Sequence, residues 1–189
     1  IRTAVGRAMK EMGRQFVLGE TIRSAMDRAR NMEKKGYTYS YDMLGEAART
    51  DADATRYHLA YSRAITAIAE ACTDRDIRKN PGISVKLSAL HPRYEVAQRD
   101  EVMAVLMPRL RSLALLAKSA RMGLNIDAEE SDRLALSLDV IETVLSEPAL
   151  DGWDGFGVVV QAYGQRAGHV LDYLYELSTR LDRRIMVRL

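Results

Sequence analysis

Five polar side chains close five short apolar runs, and their types could do chemistry together. Asp42 ends YTYSYD, Lys86 follows GISV, Asp127 follows LNI, Gln161 follows GFGVVV, and Arg188 lies in RRIMVRL. The glutamine can grip the edge of a planar heterocycle, and the arginine is a permanent charge with a rigid donor fork. If the runs are neighbouring parallel strands, all five side chains share one mouth.

Each of these residues also has a structural interpretation. Lys86 interrupts an apolar strand, where an unpaired charge is costly. It could pair with Asp127 or Asp42, lie along the strand with its ammonium in water, or form a Schiff base after a lowering of its pKa. Gln161 could belong to a hydrogen-bonded layer of the sheet, and Arg188 could be the partner of Asp127.

Neighbouring acids are expected at the beginnings of helices. Glu129 and Glu130 directly follow the third apolar run. We expect both in the first turn of the next helix, where carboxylates interact favourably with the helix dipole. Asp42 and Glu46 are four residues apart and could share one helix face at the mouth.

The histidines do not indicate a metal site. They are isolated from one another, and Cys72 is the single cysteine, so no metal-ligand spacing is present. His58 is predicted to lie in a helix and to face solvent. A lone cysteine cannot form an internal disulfide and is typical of a reducing compartment, which predicts a cytoplasmic protein.

The order of predicted elements indicates an α/β fold. The five runs are mostly apolar on both faces, as buried parallel strands are. Helical patterns lie between them, and no GxGxxG follows the first strand, which disfavours a dinucleotide-binding domain. We therefore predict an incomplete (β/α)₈ TIM-type barrel with about five strands. The helical patterns cover residues 47–72, 95–122, 130–147 and 166–182.

The predicted barrel is preceded by helices. Residues 1–34 are predicted as a helical segment, whose second helix stops at Gly36, and residues 35–189 as the first half of a barrel. The chain begins with Ile1 and stops inside an apolar run. We therefore expect a piece of a longer polypeptide, truncated at strand five.

Composition excludes some classes of function. The chain has 189 residues, 47% of them hydrophobic and 29% charged, with a formal net charge of +2. That charge is too small and too dispersed for a nucleic-acid-binding surface. No apolar run approaches the length of a membrane span.

The residue sequences of six motifs are more informative about family than their spacing is. GRQFVLGETI, YSYDMLGEA, GISVKLSALHPRYE, NIDAEESDRL, VVVQAY and RRIMVRL occur in this order along the chain. Together they closely resemble the proline dehydrogenase domain of bacterial bifunctional proline utilization A flavoenzymes. The resemblance implies a distorted (β/α)₈ barrel that binds FAD noncovalently and oxidises L-proline to Δ1-pyrroline-5-carboxylate, with hydride transfer to flavin N5.

Motif by motif, the resemblance also implies roles. Asp127 resembles an active-site aspartate near the flavin, and Ala128 would lie against the flavin. Gln161 resembles a glutamine that hydrogen-bonds the flavin ring. Arg188 resembles the arginine beside flavin N5, where a cation would stabilise the negative charge that develops on reduction.

On the substrate side, Lys86 resembles a lysine that helps to hold the substrate carboxylate. Glu46 is similar to a glutamate that gates the site by pairing with an arginine of the last barrel helix, and Asp42 is its weaker neighbour in that gate. The implied partners are L-proline and a membrane quinone, with peripheral membrane contact.

Two other functions stay open at the level of sequence. The later family motif of the V-K-G-A-Y type is absent, so the piece alone is expected to be inactive. An open half-barrel would expose strand edges, which favours self-association into a homo-oligomer. A non-catalytic folding or interaction module is therefore one alternative, and retained flavin would distinguish the proline dehydrogenase from it. A Schiff-base enzyme that uses Lys86 is the other, detectable by borohydride trapping.

Overall fold

The computed structural model describes residues 2–189, with the backbone alone at positions 2–4, 7, 8, 10 and 14. The chain divides into two compact units after Tyr39. The domain boundary predicted from the sequence, between residues 34 and 35, stays a prediction. Ile1, the first residue of the predicted helical segment, lies outside the described residues.

The first unit contains two helices, α1 (Arg2–Phe16) and α2 (Ile22–Glu33). Thr21 caps α2, because its hydroxyl accepts the backbone N–H of Ser24 while the Ser24 hydroxyl accepts that of Thr21. Gly36 has a φ of +92°, which a side chain would disfavour. The helix α2 ends at Glu33, just before Gly36, as the glycine in the sequence predicted.

The second unit is built on one parallel sheet with the strand order β1-β2-β3-β4-β5. A doubly wound sheet reverses its order at a switch point, whereas a barrel adds each strand beside the previous one. The sequential order confirms the predicted α/β fold with five barrel-type strands. These are β1 (Ser40–Asp42), β2 (Gly82–Val85), β3 (Leu124–Ile126), β4 (Phe156–Val159) and β5 (Met186–Arg188).

Helices connect successive strands, as the alternating pattern predicted. They are α3 (Asp51–Ala69), α4 (Arg99–Ser119), α5 (Leu134–Leu145) and α6 (Ala167–Leu181). Short 3₁₀ turns cover Ile77–Lys79, Leu87–Ala89, Val96–Gln98, Ser131–Arg133 and Pro148–Leu150. The apolar side chains of α4 at three- and four-residue steps are completely buried, which fixes this helix against its neighbours.

A polar layer lies inside the sheet, one step below the strand ends. Ser84, Asn125 and Gly157 are neighbours in register across β2, β3 and β4. Asn125 Nδ2 donates to Ser40 Oγ at 3.2 Å, and the Ser40 and Ser84 hydroxyls are also 3.2 Å apart. A Cβ on Gly157 would lie 1.9 Å from Asn125 Oδ1, so only glycine leaves room for this amide.

Because side chains alternate along a strand, the residue two positions beyond each member of this layer faces the same interior. Lys86 lies two beyond Ser84, and Asp127 lies two beyond Asn125. The polar layer is thus the floor beneath the strand-end side chains.

Candidate active site

The five side chains predicted at the strand ends surround one cavity. Asp42, Lys86, Asp127, Gln161 and Arg188 all line it, and its volume is about 1060 Å³. They come from five different strands, so their convergence requires the parallel sheet in its observed order. The cavity at the carboxyl ends of the strands is called the mouth below; Ala128 and Glu46 also line it.

Asp127 joins the two cations of the mouth. Its Oδ2 accepts from Lys86 Nζ at 3.1 Å, and its Oδ1 accepts from Arg188 Nη2 at 2.7 Å. The Asp127 side chain is 11% exposed, and its backbone N–H donates to Val85 O at 3.0 Å. A carboxylate so enclosed and so bonded has little freedom to turn, which fixes the distance between the two cations.

Lys86 is held in its charged form. Its Nζ donates to Asp42 at 2.5 Å as well as to Asp127, and its backbone N–H donates to the buried Tyr61 hydroxyl at 3.2 Å. Burial opposes the charge, but the hydrogen bonds to Asp42 and then Asp127 outweigh it and raise the pKa of the ammonium. A Schiff base needs a neutral amine, so this environment disfavours the lysine-nucleophile hypothesis. The third ammonium hydrogen stays available for another acceptor.

Arg188 lies between the polar layer and the open mouth. Its Nη1 donates to Ser84 Oγ at 3.3 Å, while Nη2 donates to Asp127. The side chain is 49% exposed. The guanidinium is therefore oriented from below by two fixed acceptors and still presents a face to the cavity. Ser84 was not predicted from the sequence, although its position two residues before Lys86 placed it on the same strand face.

Gln161 follows β4 and is oriented by the chain after β3. Its Nε2 donates to the carbonyl oxygen of Glu129 at 3.2 Å. Beside it, Ile126, Val158 and Val159 add an apolar surface to the cavity. An amide, a guanidinium and an apolar surface are thus arranged around one volume.

The prediction for Glu129 was wrong, because α5 begins only at Leu134. The Glu129 carboxylate instead accepts the backbone N–H of Ser88 at 3.0 Å and the Ser88 hydroxyl. The prediction for Glu130 was wrong for the same reason, because Glu130 precedes the 3₁₀ turn Ser131–Arg133 and pairs with Arg133. Ser88 was missed, since nothing in the sequence marks a serine in a turn as a partner of an acid 41 residues away.

The prediction of a shared helix face for Asp42 and Glu46 was also wrong. Residues 43–50, called the mouth loop below, have no helix, and α3 begins at Asp51. Gly45 has a φ of +125° and Ala47 a φ of +52°, which a helix cannot accommodate. Both acids still line the mouth, Asp42 from the end of β1 and Glu46 from the mouth loop.

The prediction that His58 faces solvent was wrong, because its side chain is half-buried. Its Nε2 lies 2.8 Å from Ser112 Oγ, whose hydroxyl donates to Arg109 O at 2.7 Å. Burial, and after it the positive charge of Arg109, lowers the pKa of the imidazole. His58 therefore belongs to the α3–α4 contact and not to the mouth.

In the part of the chain that the structure describes, no helix combines the length and apolarity needed to cross a membrane.

Comparison with known proteins identifies related chains. Residues 25–189 match the family model described as proline dehydrogenase. The chain is 58% identical over all 189 residues to the bifunctional protein PutA of Escherichia coli K12, and it spans 14% of that protein.

Two solved structures share the fold. The chain superposes with a TM-score of 0.85 and 53% identity on a mutant of Bradyrhizobium japonicum proline utilization A, covering all of this chain and 19% of that one. It superposes with a TM-score of 0.89 and 27% identity on Bdellovibrio bacteriovorus proline utilization A inactivated by N-propargylglycine, covering 99% of this chain and 21% of that one.

Proposed function

The chain belongs to the proline dehydrogenase family, and we propose that its mouth forms part of an active site that oxidises L-proline to Δ1-pyrroline-5-carboxylate with FAD. The observation that carries this proposal is the carboxylate of Asp127, which accepts from Lys86 and Arg188 in the same cavity. One cation suits the carboxylate of an amino acid, and the other suits a cofactor that becomes negative on reduction.

The residues of the mouth fit a flavin ring. A planar ring with polar edges needs an apolar surface along its face and donors at its rim. Val158 and Val159 offer the surface, and Gln161 and Arg188 offer donors. Ala128 lines the same cavity and carries a side chain small enough for a ring to approach. FAD, when bound, supplies the hydride acceptor.

Lys86 is proposed to hold the carboxylate of proline. Its third ammonium hydrogen is available, and its paired state keeps it charged. The exposed Asp42, 2.5 Å from the ammonium, is the carboxylate that an incoming substrate would meet first. The carboxylate of the substrate would then make with Lys86 the same kind of interaction that Asp42 makes with it.

Oxidation to Δ1-pyrroline-5-carboxylate removes a hydride from Cδ, the carbon on the side of the ring nitrogen away from the carboxylate, and a proton from that nitrogen. The substrate amine must therefore be neutral before the hydride leaves, with its proton passed to a base or to water. Asp127 keeps Arg188 fixed while charge develops, so that the guanidinium needs no reorganisation during the reaction.

The resemblance of the six motifs supports three finer points of the proposal. Hydride would be accepted at flavin N5 beside Arg188. Electrons would then leave to a membrane quinone during peripheral contact of the longer protein with the membrane. Glu46 and Asp42 would gate entry of substrate at the mouth. Proline-dependent reduction of a soluble quinone analogue would test the electron acceptor.

The test of the function is a visible absorption spectrum of a polypeptide that contains this chain and has the length of its relatives. We expect flavin bands that bleach when L-proline is added without oxygen. D-proline is the matched control, because with its carboxylate held at Lys86 the opposite configuration at Cα turns the ring, and with it the reacting Cδ, away from the orientation of L-proline. A well-folded protein without flavin would contradict the proposal and favour a non-catalytic module.

A further inference from the structure

We propose that Glu129 is a positioning residue that fixes both sides of the mouth, through Ser88 on one side and Gln161 on the other. The inference rests on the proposed function, because it concerns how the same site is held in shape. Glu129 lines the same cavity, and neither of the two contacts that carry the inference involves Lys86. Its carboxylate accepts hydrogen bonds from the turn after β2, and its carbonyl oxygen accepts one from Gln161, two residues after β4.

The first part of this arrangement is a relay through one hydroxyl. Ser88 is 2% exposed. Its backbone N–H and its hydroxyl both donate to the Glu129 carboxylate, and its Oγ accepts the backbone N–H of Ala47 at 3.0 Å. Its carbonyl oxygen accepts the N–H of Ala48 at 2.9 Å. Because the hydroxyl proton points to Glu129, a lone pair is left for the amide of the mouth loop.

The mouth loop needs this support. It has no helical or strand hydrogen bonds of its own between residues 43 and 50. Ala47 is held in the left-handed region, at a φ of +52°, which is unfavourable for a residue with a side chain. Such a conformation persists where surrounding contacts determine it. Glu46, which precedes Ala47, therefore lines the mouth only while the bonds to Ser88 hold.

The second part of the arrangement concerns Gln161. Its Nε2 donates to the carbonyl of Glu129, which directs its amide plane. A shift of the Glu129 backbone would thus turn the group proposed to contact the flavin. Glu129 therefore positions both the mouth loop on the substrate side and the Gln161 amide on the cofactor side. The hydrogen bonds from Ser88 to its carboxylate are charge-assisted, and such bonds are strong enough to hold this arrangement.

The first test reads the relay without any activity. Amide hydrogen exchange at Ala47 is measured in the flavin-loaded protein of full length, for Ser88→Ala, Glu129→Gln and the control Glu130→Gln. We expect Ala47 to exchange at least about tenfold faster in the first two variants. The control removes a neighbouring exposed carboxylate and should leave the rate unchanged. Unaltered exchange in Ser88→Ala and Glu129→Gln would overturn the relay whether or not the enzyme oxidises proline.

The second test separates positioning from general stability. We expect Ser88→Ala and Glu129→Gln each to raise KM for proline by about five- to tenfold, with kcat changed less than about twofold. The double variant should be no worse than either single one, because both remove the same relay. Additive effects, or an unchanged KM beside a faster Ala47 exchange, would overturn the positioning role. An absence of proline-dependent bleaching in the unmodified protein would refute the proposed function itself and leave the exchange result standing.

Discussion

Asp127 Oδ1 lies 2.7 Å from Arg188 Nη2, so an acid that follows β3 and a base in β5 meet across the sheet. The acid is almost buried and the base is half-exposed. The buried partner thus fixes the charge that faces the cavity. Together with Lys86 and Asp42, the pair forms a cluster of two basic and two acidic side chains, in which the buried Asp127 contacts a cation on each side.

Replacement of Lys86 by methionine should weaken substrate binding more than it slows chemistry. The ammonium is proposed to meet the proline carboxylate, and methionine keeps much of its volume without the charge. We expect KM for proline to rise by about tenfold or more, with a smaller fall in kcat. Lys118→Met, which removes a lysine that contacts carbonyl oxygens far from the mouth, is the control. An unchanged KM would contradict the role of Lys86.

Replacement of Arg188 should change the flavin midpoint potential. A cation near the flavin stabilises its reduced form, so we expect Arg188→Met to lower the potential by about 30 mV or more, equivalent to about 1.4 kcal/mol for two electrons. Arg188→Lys keeps the charge but cannot reach both Ser84 and Asp127, and it should shift the potential less. Equal potentials in the methionine variant and the unmodified protein, by spectroelectrochemical titration, would place the guanidinium away from the flavin.

The close approach of Asn125 to Gly157 predicts a stability effect. An added methyl at Gly157 would overlap Asn125 Oδ1, so Gly157→Ala should lower the free energy of unfolding by about 1–3 kcal/mol, measured in urea. Gly168→Ala is the control, because nothing lies within 4 Å of its added methyl and alanine favours a helix. If both substitutions changed the free energy of unfolding equally, the side chain of Asn125 would have to move aside at little cost, which would contradict the prediction.

The environment of His58 predicts a loss of stability in acid. Its pKa is lowered in the folded protein, so the unfolded chain binds its proton at higher pH, near the ordinary value of about 6.5. Stability is then fully present above that value and declines as the pH falls through it, until the folded imidazole is also protonated. We expect His58→Gln to make the free energy of unfolding depend less steeply on pH as the pH falls below about 6.5. His169→Gln, at an exposed position, should leave the slope unchanged.

The convergence of the strand-end side chains on one cavity was the part of the site that sequence could predict. Each of Asp127, Gln161 and Arg188 lies at the end of an apolar run or closely follows one, and a parallel sheet brings such positions to one edge. The buried stripe of α4 was predictable for a similar reason, since helical spacing alone determines which side chains share a face.

Glu129 and Glu46 show what sequence could not predict. The local position of Glu129 suggested a helix beginning, but a tertiary partner, Ser88, decides where its carboxylate lies. Glu46 is four residues from Asp42, a spacing that means one face only if the backbone is helical. The left-handed Ala47 excludes that, and no residue type at this position announces it.

The role of Asp127 in joining the two cations is tested by the single-turnover rate of flavin bleaching by L-proline in Asp127→Ala, with Asp132→Ala as the matched control. Among the described residues, Asp127 is the carboxylate that contacts both Lys86 and Arg188, so its loss should slow bleaching by about 100-fold or more while flavin stays bound. Asp132 is exposed in the turn before α5, and its loss should leave the rate unchanged. Bleaching at the unmodified rate in Asp127→Ala would contradict the account.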